Sequence, residues 1–127
     1  MQDTRREIGE EGERLACLYL ESHGHRIVAR NWRYSHKEID IISIEGSTLH
    51  IVEVKSAKAP CTADPLLKVN RSKQQHLIKA AKAFLSTAKQ YNLPKDLEVS
   101  FDVASVMFDN SNATVSYYPQ AYIPTYV

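Results

Sequence analysis

The sequence is short of the features that mark unusual classes of protein. It has two cysteines, Cys17 and Cys61. Neither belongs to a Cys-x-x-Cys pair and neither stands near spaced histidines, so both are expected as unpaired thiols without a metal. Four glycines and five prolines in 127 residues exclude a collagen-like or low-complexity chain. No apolar run approaches the ~20 residues that span a membrane, so no membrane partner is expected. Met1 to Glu13 is charged and lacks an apolar stretch of signal-peptide type, and the expected location is the cytoplasm. What is present is ordinary: 43% hydrophobic and 24% charged residues. That length and composition predict one domain over residues 1–127, long enough to bury roughly two thirds of its unfolded surface without disulfides or a structural metal.

The net charge of +1 says less than its distribution. Residues 1–54 carry 10 acids and 7 bases. Residues 55–89 carry 8 bases (Lys55, Lys58, Lys68, Arg71, Lys73, Lys79, Lys82 and Lys89) against Asp64 alone. Residues 90–127 are again net acidic. A basic block between acidic ones can attract a polyanion locally, and it can equally be a solvated helix face.

Hydrophobic spacing predicts a helix over Arg5 to His23, with Ile8, Leu15, Leu18 and Tyr19 on its apolar stripe and Gly24 closing it. Gly9 and Gly12 inside it each cost roughly 1 kcal/mol relative to alanine, which suggests a close approach to the helix backbone. Strands are expected at Arg26–Tyr34, Glu38–Glu45 and Thr48–Ser56, the last two joined by a tight turn at Glu45-Gly46-Ser47. Ala57 to Leu67, with two prolines, reads as a loop. Asn70 or Ser72 could cap a long helix reaching about Tyr91, with Leu77, Ala81, Phe84 and Ala88 on its stripe. Leu97–Phe108 and Ala113–Tyr118 complete the set as strands. The order α-β-β-β-α-β-β predicts an α/β fold, a sheet with helices packed on it.

The chemistry concentrates between Glu38 and Lys55. Asp40 lies on one expected strand, and Glu53-Val54-Lys55 lies across the hairpin from it. Alternation puts Glu53 and Lys55 on one face. Two carboxylates 4 Å apart repel by roughly 4 kcal/mol at an effective dielectric of 20, and a divalent cation converts that cost into affinity. Asp40, Glu53, a backbone carbonyl such as that of Val54, and water make an oxygen set suited to Mg²⁺ or Mn²⁺. Lys55 beside it could hold a phosphate oxygen or acidify an attacking water, as metal-assisted phosphodiester hydrolysis requires. The plainer account is an edge ion pair between Glu53 and Lys55 with Asp40 a strand-end acid. Asp40 on the preceding strand, together with the basic helix downstream, favours the first.

Ordered motifs along nearly the whole chain carry a resemblance. They are Gly12-Glu13 with Ala16 and Tyr19-Leu20, then Arg30-Asn31-Trp32-Arg33, Glu38-Ile39-Asp40-Ile41-Ile42 and Val52-Glu53-Val54-Lys55, and finally Lys73 with Ala80 or Ala81 and Phe101-Asp102-Val103. With these the chain resembles the YraN-like family of small bacterial proteins, which looks like a member of the restriction-endonuclease-like PD-(D/E)XK superfamily, related in layout to Holliday junction resolvases. The resemblance implies a restriction-endonuclease-like core with a mixed central sheet flanked by helices. It implies Asp40 and Glu53 as metal-binding carboxylates, Lys55 as the catalytic lysine, and Glu13 as a helix acid reaching the metal through water. The family usually has glycine before Glu-Ile-Asp, where this chain has Lys37, and often Thr-Arg or Ser-Arg after Val-Lys, where it has Ser56-Ala57. Lys58 is then the substitute for the missing arginine as a phosphate contact.

Beyond the motifs, Lys73 shares a helix face with Leu77, Ala80 and Phe84 and needs an anion or an exit to water. Arg71, Gln75, Lys79, Lys82, Ser86 and Lys89 form a polar stripe whose cations could contact phosphates. Glu38 is expected to pair with Arg33 or Lys37, and Trp32 and Tyr34 to be core aromatics rather than base-stacking platforms. The five histidines show no metal-ligand spacing and are assigned no chemistry. Two functions follow from these readings. The first is a metal-dependent endonuclease acting on DNA, on branched or single-stranded forms. The second is a non-catalytic nucleic-acid-binding or partner-binding domain that keeps the nuclease fold. Either leaves room for a homodimer.

Overall fold

Helix α1 (Thr4–Ser22) leads into three successive strands, β1 (Arg26–Tyr34), β2 (Lys37–Glu45) and β3 (Thr48–Lys58). Helix α2 (Arg71–Leu85) follows, then β4 (Glu98–Asp109) and β5 (Asn112–Tyr118). This architecture is that of a computed structural model describing residues 4–61 and 64–122, with the side chains of Thr4, Leu67, Lys68, Ala88 and Lys89 outside the description. The strands form one sheet in the order β1-β2-β3-β4-β5. All neighbours are antiparallel except β3 and β4, which run parallel. Parallel neighbours need a crossover, and α2 lies within it. The element order and the mixed sheet between two helices are those of the expected restriction-endonuclease-like core.

Local chemistry fixes the joints. Gly24, at φ +87°, ends α1: His25 N–H donates to Leu20 O and Gly24 N–H to Glu21 O, the paired bonds of a Schellman cap. The hairpins β1–β2, β2–β3 and β4–β5 each have two loop residues, and the first of each (Ser35, Gly46, Asn110) takes a positive φ. Asn70, not Ser72, caps α2, its side chain accepting from Lys73 N–H.

Helix α2 stops at Leu85, six residues before the expected end at Tyr91. The reason is local. Ser86 Oγ donates to Ala83 O and Thr87 Oγ1 to Phe84 O, so hydroxyls take carbonyls the helix ladder would use. A 3₁₀ turn over Ala88–Tyr91 follows instead.

The core has two layers. Leu77, Ala80, Ala81 and Phe84 of α2 pack on Ile42, Ile44, Leu49, Ile51, Phe101 and Val103. Trp32 joins them edge-on to Phe84, 5.3 Å between ring centres, whereas Tyr34 is exposed. On the other face Ala16, Cys17 and Leu20 of α1 cover Ile41, Val52, Ala104 and Val106. The stripe expected for α1 is therefore shifted. Leu18 is 50% exposed, and the buried side is built from smaller residues. Gly12 shows why: a Cβ there would lie 2.9 Å from Ser56 Cβ and closer still to Ser56 Oγ. The close approach expected at Gly12 is present, while a Cβ on Gly9 would meet nothing within 4 Å.

Candidate active site

The site begins where two strands part. The β2–β3 ladder runs from Glu45↔Thr48 to Ile41↔Val52 and ends there. Ile41 packs under α1 while Ile39, two residues away, packs under α2; regular alternation would keep them on one face. The neighbouring strand reverses with it. Arg30 reaches Glu13 of α1, Trp32 reaches Phe84 of α2, and Asn31 between them sits at φ +51°, a conformation asparagine accepts more readily than most residues. Asp40 stands at this reversal. Val54 N–H, deprived of a β2 carbonyl, donates to Asp40 Oδ2 at 2.8 Å. The N–H and C=O of one strand residue point the same way across the sheet, so the Val54 carbonyl faces the same gap.

A cleft of about 710 Å³ opens at that gap, under the first turns of α1. Glu13, Asp40, Glu53, Val54 and Lys58 line it, with Arg5, Arg6 and Gly9 at its helix side. Glu53 is only 4% exposed. Its Oε1 faces Lys55 Nζ at 3.3 Å and Lys73 Nζ at 3.7 Å, whereas its Oε2 is buried with no hydrogen-bond partner. Glu13 Oε1 is buried without a hydrogen bond as well, with Arg30 Nη2 3.7 Å away.

The electrostatics record crowding of acids. Burial, then the charge of Glu53, then that of Glu13 push Asp40 up to about 7, against the Val54 N–H and Lys73, which pull it down. Burial also raises Glu13, which Arg30 offsets only in part. Buried carboxylate oxygens without donors, next to an acid that resists ionising, suit a hard divalent cation. The donors are all oxygen, so the residues present fit Mg²⁺ or Mn²⁺.

The sequence-predicted residues divide into groups. Asp40, Glu53, Glu13, Val54 and Lys58 share the cleft, and Lys55 and Lys73 meet on Glu53. Arg71, Lys79 and Lys82 are exposed on α2, which packs on the other face of the sheet, and they do not line the cleft. The side chain of Lys89 lies outside the described residues. Glu38 pairs with Arg33 at 3.5 Å. Sequence reasoning missed Arg5 and Arg6 because the acidic balance of residues 1–54 masked an arginine pair opening a helix. It also gave the histidines no chemistry; His25 and His50, 25 positions apart in sequence, lie with ring centres 4.4 Å apart and ring planes tilted by 49°. Both cysteines are unpaired, and no helix among the described residues is long and apolar enough to cross a membrane.

Residues 12–106 match the model of the family described as Uncharacterised protein family UPF0102. The chain belongs to the UPF0102 family. This is the YraN-like family of the sequence reading, and the matched span takes in Glu13, Asp40, Glu53, Lys55 and Lys73 while leaving out Arg5 and Arg6. A UPF0102 protein of Chlorobium chlorochromatii is 41% identical over 100 residues, 79% of this chain and 74% of the relative. One of Bacteroides thetaiotaomicron is 36% identical over 118 residues, 93% of each chain. One of Geobacter metallireducens is 38% identical over 115 residues, 91% of each. These relatives bear the family name and no activity.

Proposed function

We propose that this UPF0102 protein is a metal-dependent endonuclease that hydrolyses phosphodiester bonds in DNA, on branched or single-stranded forms. One observation carries the reading: Asp40 and Glu53 share a cleft in which burial and the charge of Glu53 raise the cost of ionising Asp40, and Glu53 Oε2 has no donor. A structural ion pair would leave neither the acid crowding nor the orphaned oxygen. Asp40, Glu53 and the Val54 carbonyl would hold Mg²⁺ or Mn²⁺, with Glu13 acting through water. Bound there, the cation would polarise a phosphoryl oxygen and acidify a water.

The chain's own residues do the rest. Lys55, held at Glu53, places an ammonium where charge develops on the phosphate. Lys73 braces Glu53 from α2. Lys58, with Arg5 and Arg6 across the cleft, positions the backbone of the nucleic acid without reading bases. The near-neutral net charge favours a substrate chosen by shape over tight binding to long duplex.

The test is a cleavage screen over branched, flapped, single-stranded and duplex DNA with Mg²⁺ or Mn²⁺. Cleavage should vanish in Asp40→Asn and Glu53→Gln. Lys55→Ala should lower turnover by roughly 10²–10³-fold, as loss of an electrostatic donor does, with a smaller effect on substrate binding. Folded wild-type protein that cuts none of these substrates would overturn the reading. One observation favours a non-catalytic binding domain instead: Lys55 and Lys73 both approach Glu53 Oε1, and two lysines can neutralise an acid that has no metal to hold. Mg²⁺ separates the two accounts. In the nuclease it raises the melting temperature of wild type and not of Asp40→Asn; in the binding domain it moves neither.

A further inference from the structure

The far end of α1 covers a second polar group on the same face of the sheet. His25 precedes β1, Glu45 ends β2, and His50 lies just past the hairpin in β3. One nitrogen of each histidine and a carboxylate oxygen of Glu45 lie within 4.8 Å of one another. Each ring is held from behind through Nδ1. His50 Nδ1–H donates to Asp102 Oδ2 at 2.6 Å, and His25 Nδ1 bonds Ser43 Oγ at 2.8 Å. Asp102 is fully buried and accepts besides from Ser100 Oγ, Tyr117 OH and Gln120 N–H, so it is a fixed acceptor that sets the tautomer of His50. The lone pair of His50 Nε2 is thereby left on the side of Glu45, whose Oε1 is 3.4 Å away.

We propose that His25, His50 and Glu45 form a Zn²⁺ site, with water completing the coordination. Two imidazoles aimed by a carboxylate and a hydroxyl behind them, with an anionic ligand in front, are the parts from which proteins build zinc centres. Ligands on tetrahedral zinc sit roughly 3.3 Å apart, so the three atoms need to close by about 1.5 Å at most. Glu45, whose side chain is half exposed at the hairpin, supplies its own part of that movement, and small rotations of the two imidazoles supply the rest. Charge also balances: the carboxylates of Glu45 and Asp102 match a dication carried by neutral imidazoles. The nitrogen-rich donor set distinguishes this centre from the all-oxygen cleft, which suits a harder ion. Bound zinc would tie the start of β1 to the β2–β3 hairpin.

The experiment uses the full chain, stripped with a chelator and titrated with Zn²⁺ against a chromophoric competitor. Wild type and Asp40→Asn should each take up one tight equivalent. His25→Gln and the exposed-site variant Glu45→Gln should weaken uptake by at least roughly 10-fold, and Ser43→Ala, which releases His25 from behind, by about 10-fold. Co²⁺ used as a spectroscopic probe should bind without thiolate-to-metal absorption, which places the ion away from Cys17 and Cys61. Three results would overturn the site: no zinc uptake by folded wild type, full affinity retained in a folded His25→Gln/Glu45→Gln double variant, or loss of the tight equivalent in Asp40→Asn. Because the readout is zinc occupancy and not cleavage, failure here leaves the nuclease reading standing, and the reverse holds too.

Discussion

Asp40 and Asp102 stand on the same sheet, both withdrawn from water, and their carboxyls shift in opposite directions. Asp40 is pushed up to about 7. Asp102 is held below the usual carboxylate range. Burial is the largest single effect on each and favours the neutral acid in both. The difference lies in the neighbours. His50, Ser100, Tyr117 and Gln120 N–H all donate to Asp102 and together outweigh its burial. Asp40 has a single backbone donor, Val54, and faces two further acids. One end of the α1-covered face is thus an electrostatically completed network, and at the other Asp40 has one hydrogen-bond donor against two neighbouring acids.

The largest expected effect is on the completed end. Asp102→Ala strands four donors, those of His50 and Ser100 buried, and should cost about 3–5 kcal/mol in chemical denaturation, the range for breaking a buried charged pair. A loss under about 1 kcal/mol would show that the donors find other acceptors and that the contrast between the two aspartates is not one of partners.

The pH dependence of stability sharpens the same contrast. Asp40 rises from 3.8 to about 7 on folding, so between those values the native state keeps a proton that the unfolded chain has released. Stability should therefore fall as pH rises through that window, by at most about 4 kcal/mol. Asp102 has the opposite sign: its contribution is present above 3.8 and is lost as pH falls through its lowered folded value. Urea denaturation of Asp40→Asn at pH 5 and pH 8 should show the falling slope removed and a variant more stable than wild type at the higher pH. A wild-type curve that is flat between these pH values would mean that the cleft acids are not crowded.

Helix α1 joins the two ends, and its glycines test how. Gly12→Ala should cost about 1–3 kcal/mol, the range for overpacking, because a Cβ there meets Ser56. It should also blunt the stabilisation by Mg²⁺ through lifting Glu13 from the cleft. Gly9→Ala meets nothing and should gain up to about 1 kcal/mol from helix propensity. Thermal melts of the pair decide between a close contact at Gly12 and a general tolerance of alanine in this helix.

The sequence exposed the cleft and concealed the histidine group for physical reasons. Asp40 and Glu53 are separated by a tight hairpin whose register follows from Gly46 and continues to Ile41↔Val52, so the hairpin brings them close, whereas the reversal of faces at Asp40 carries no sequence signal. The order of elements along the chain, and with it the α/β layout, was legible from period-2 runs and turn residues. His25, His50 and Asp102 come from three separate elements, and the parallel pairing that sets Asp102 in register with Val52, two residues from His50, depends on a crossover that no local pattern specifies. The early end of α2 was hidden because Ser86 and Thr87 fit a helix by polarity and end it by hydrogen bonding. The buried side of α1 was misplaced because Gly12, Ala16 and Cys17 carry little hydrophobic signal, although small residues are what let the helix settle on β3.

The smallest expected effect asks whether the under-partnered end is also the end that meets nucleic acid. Lys58 lines the cleft. Lys79 and Lys82 lie about 1.7 and 2.5 turns along α2 from Lys73, the residue of that helix that reaches Glu53, at 1.5 Å of rise per residue roughly 9 and 14 Å from it along the axis. A phosphate at the cleft would be close to Lys58 and about one to two Debye lengths from the two distal lysines at physiological salt. Lys58→Ala should therefore flatten the dependence of log K on log salt for branched DNA by about one unit. Lys79→Ala/Lys82→Ala, which removes twice the charge, should flatten it by less than about half a unit. Neither should alter preference among sequences, since phosphate contacts carry none. Titration of labelled DNA at several salt concentrations measures both slopes. A double variant with the larger change would move the nucleic-acid track onto α2, away from the crowded acids, and would detach binding from the proposed site of cleavage.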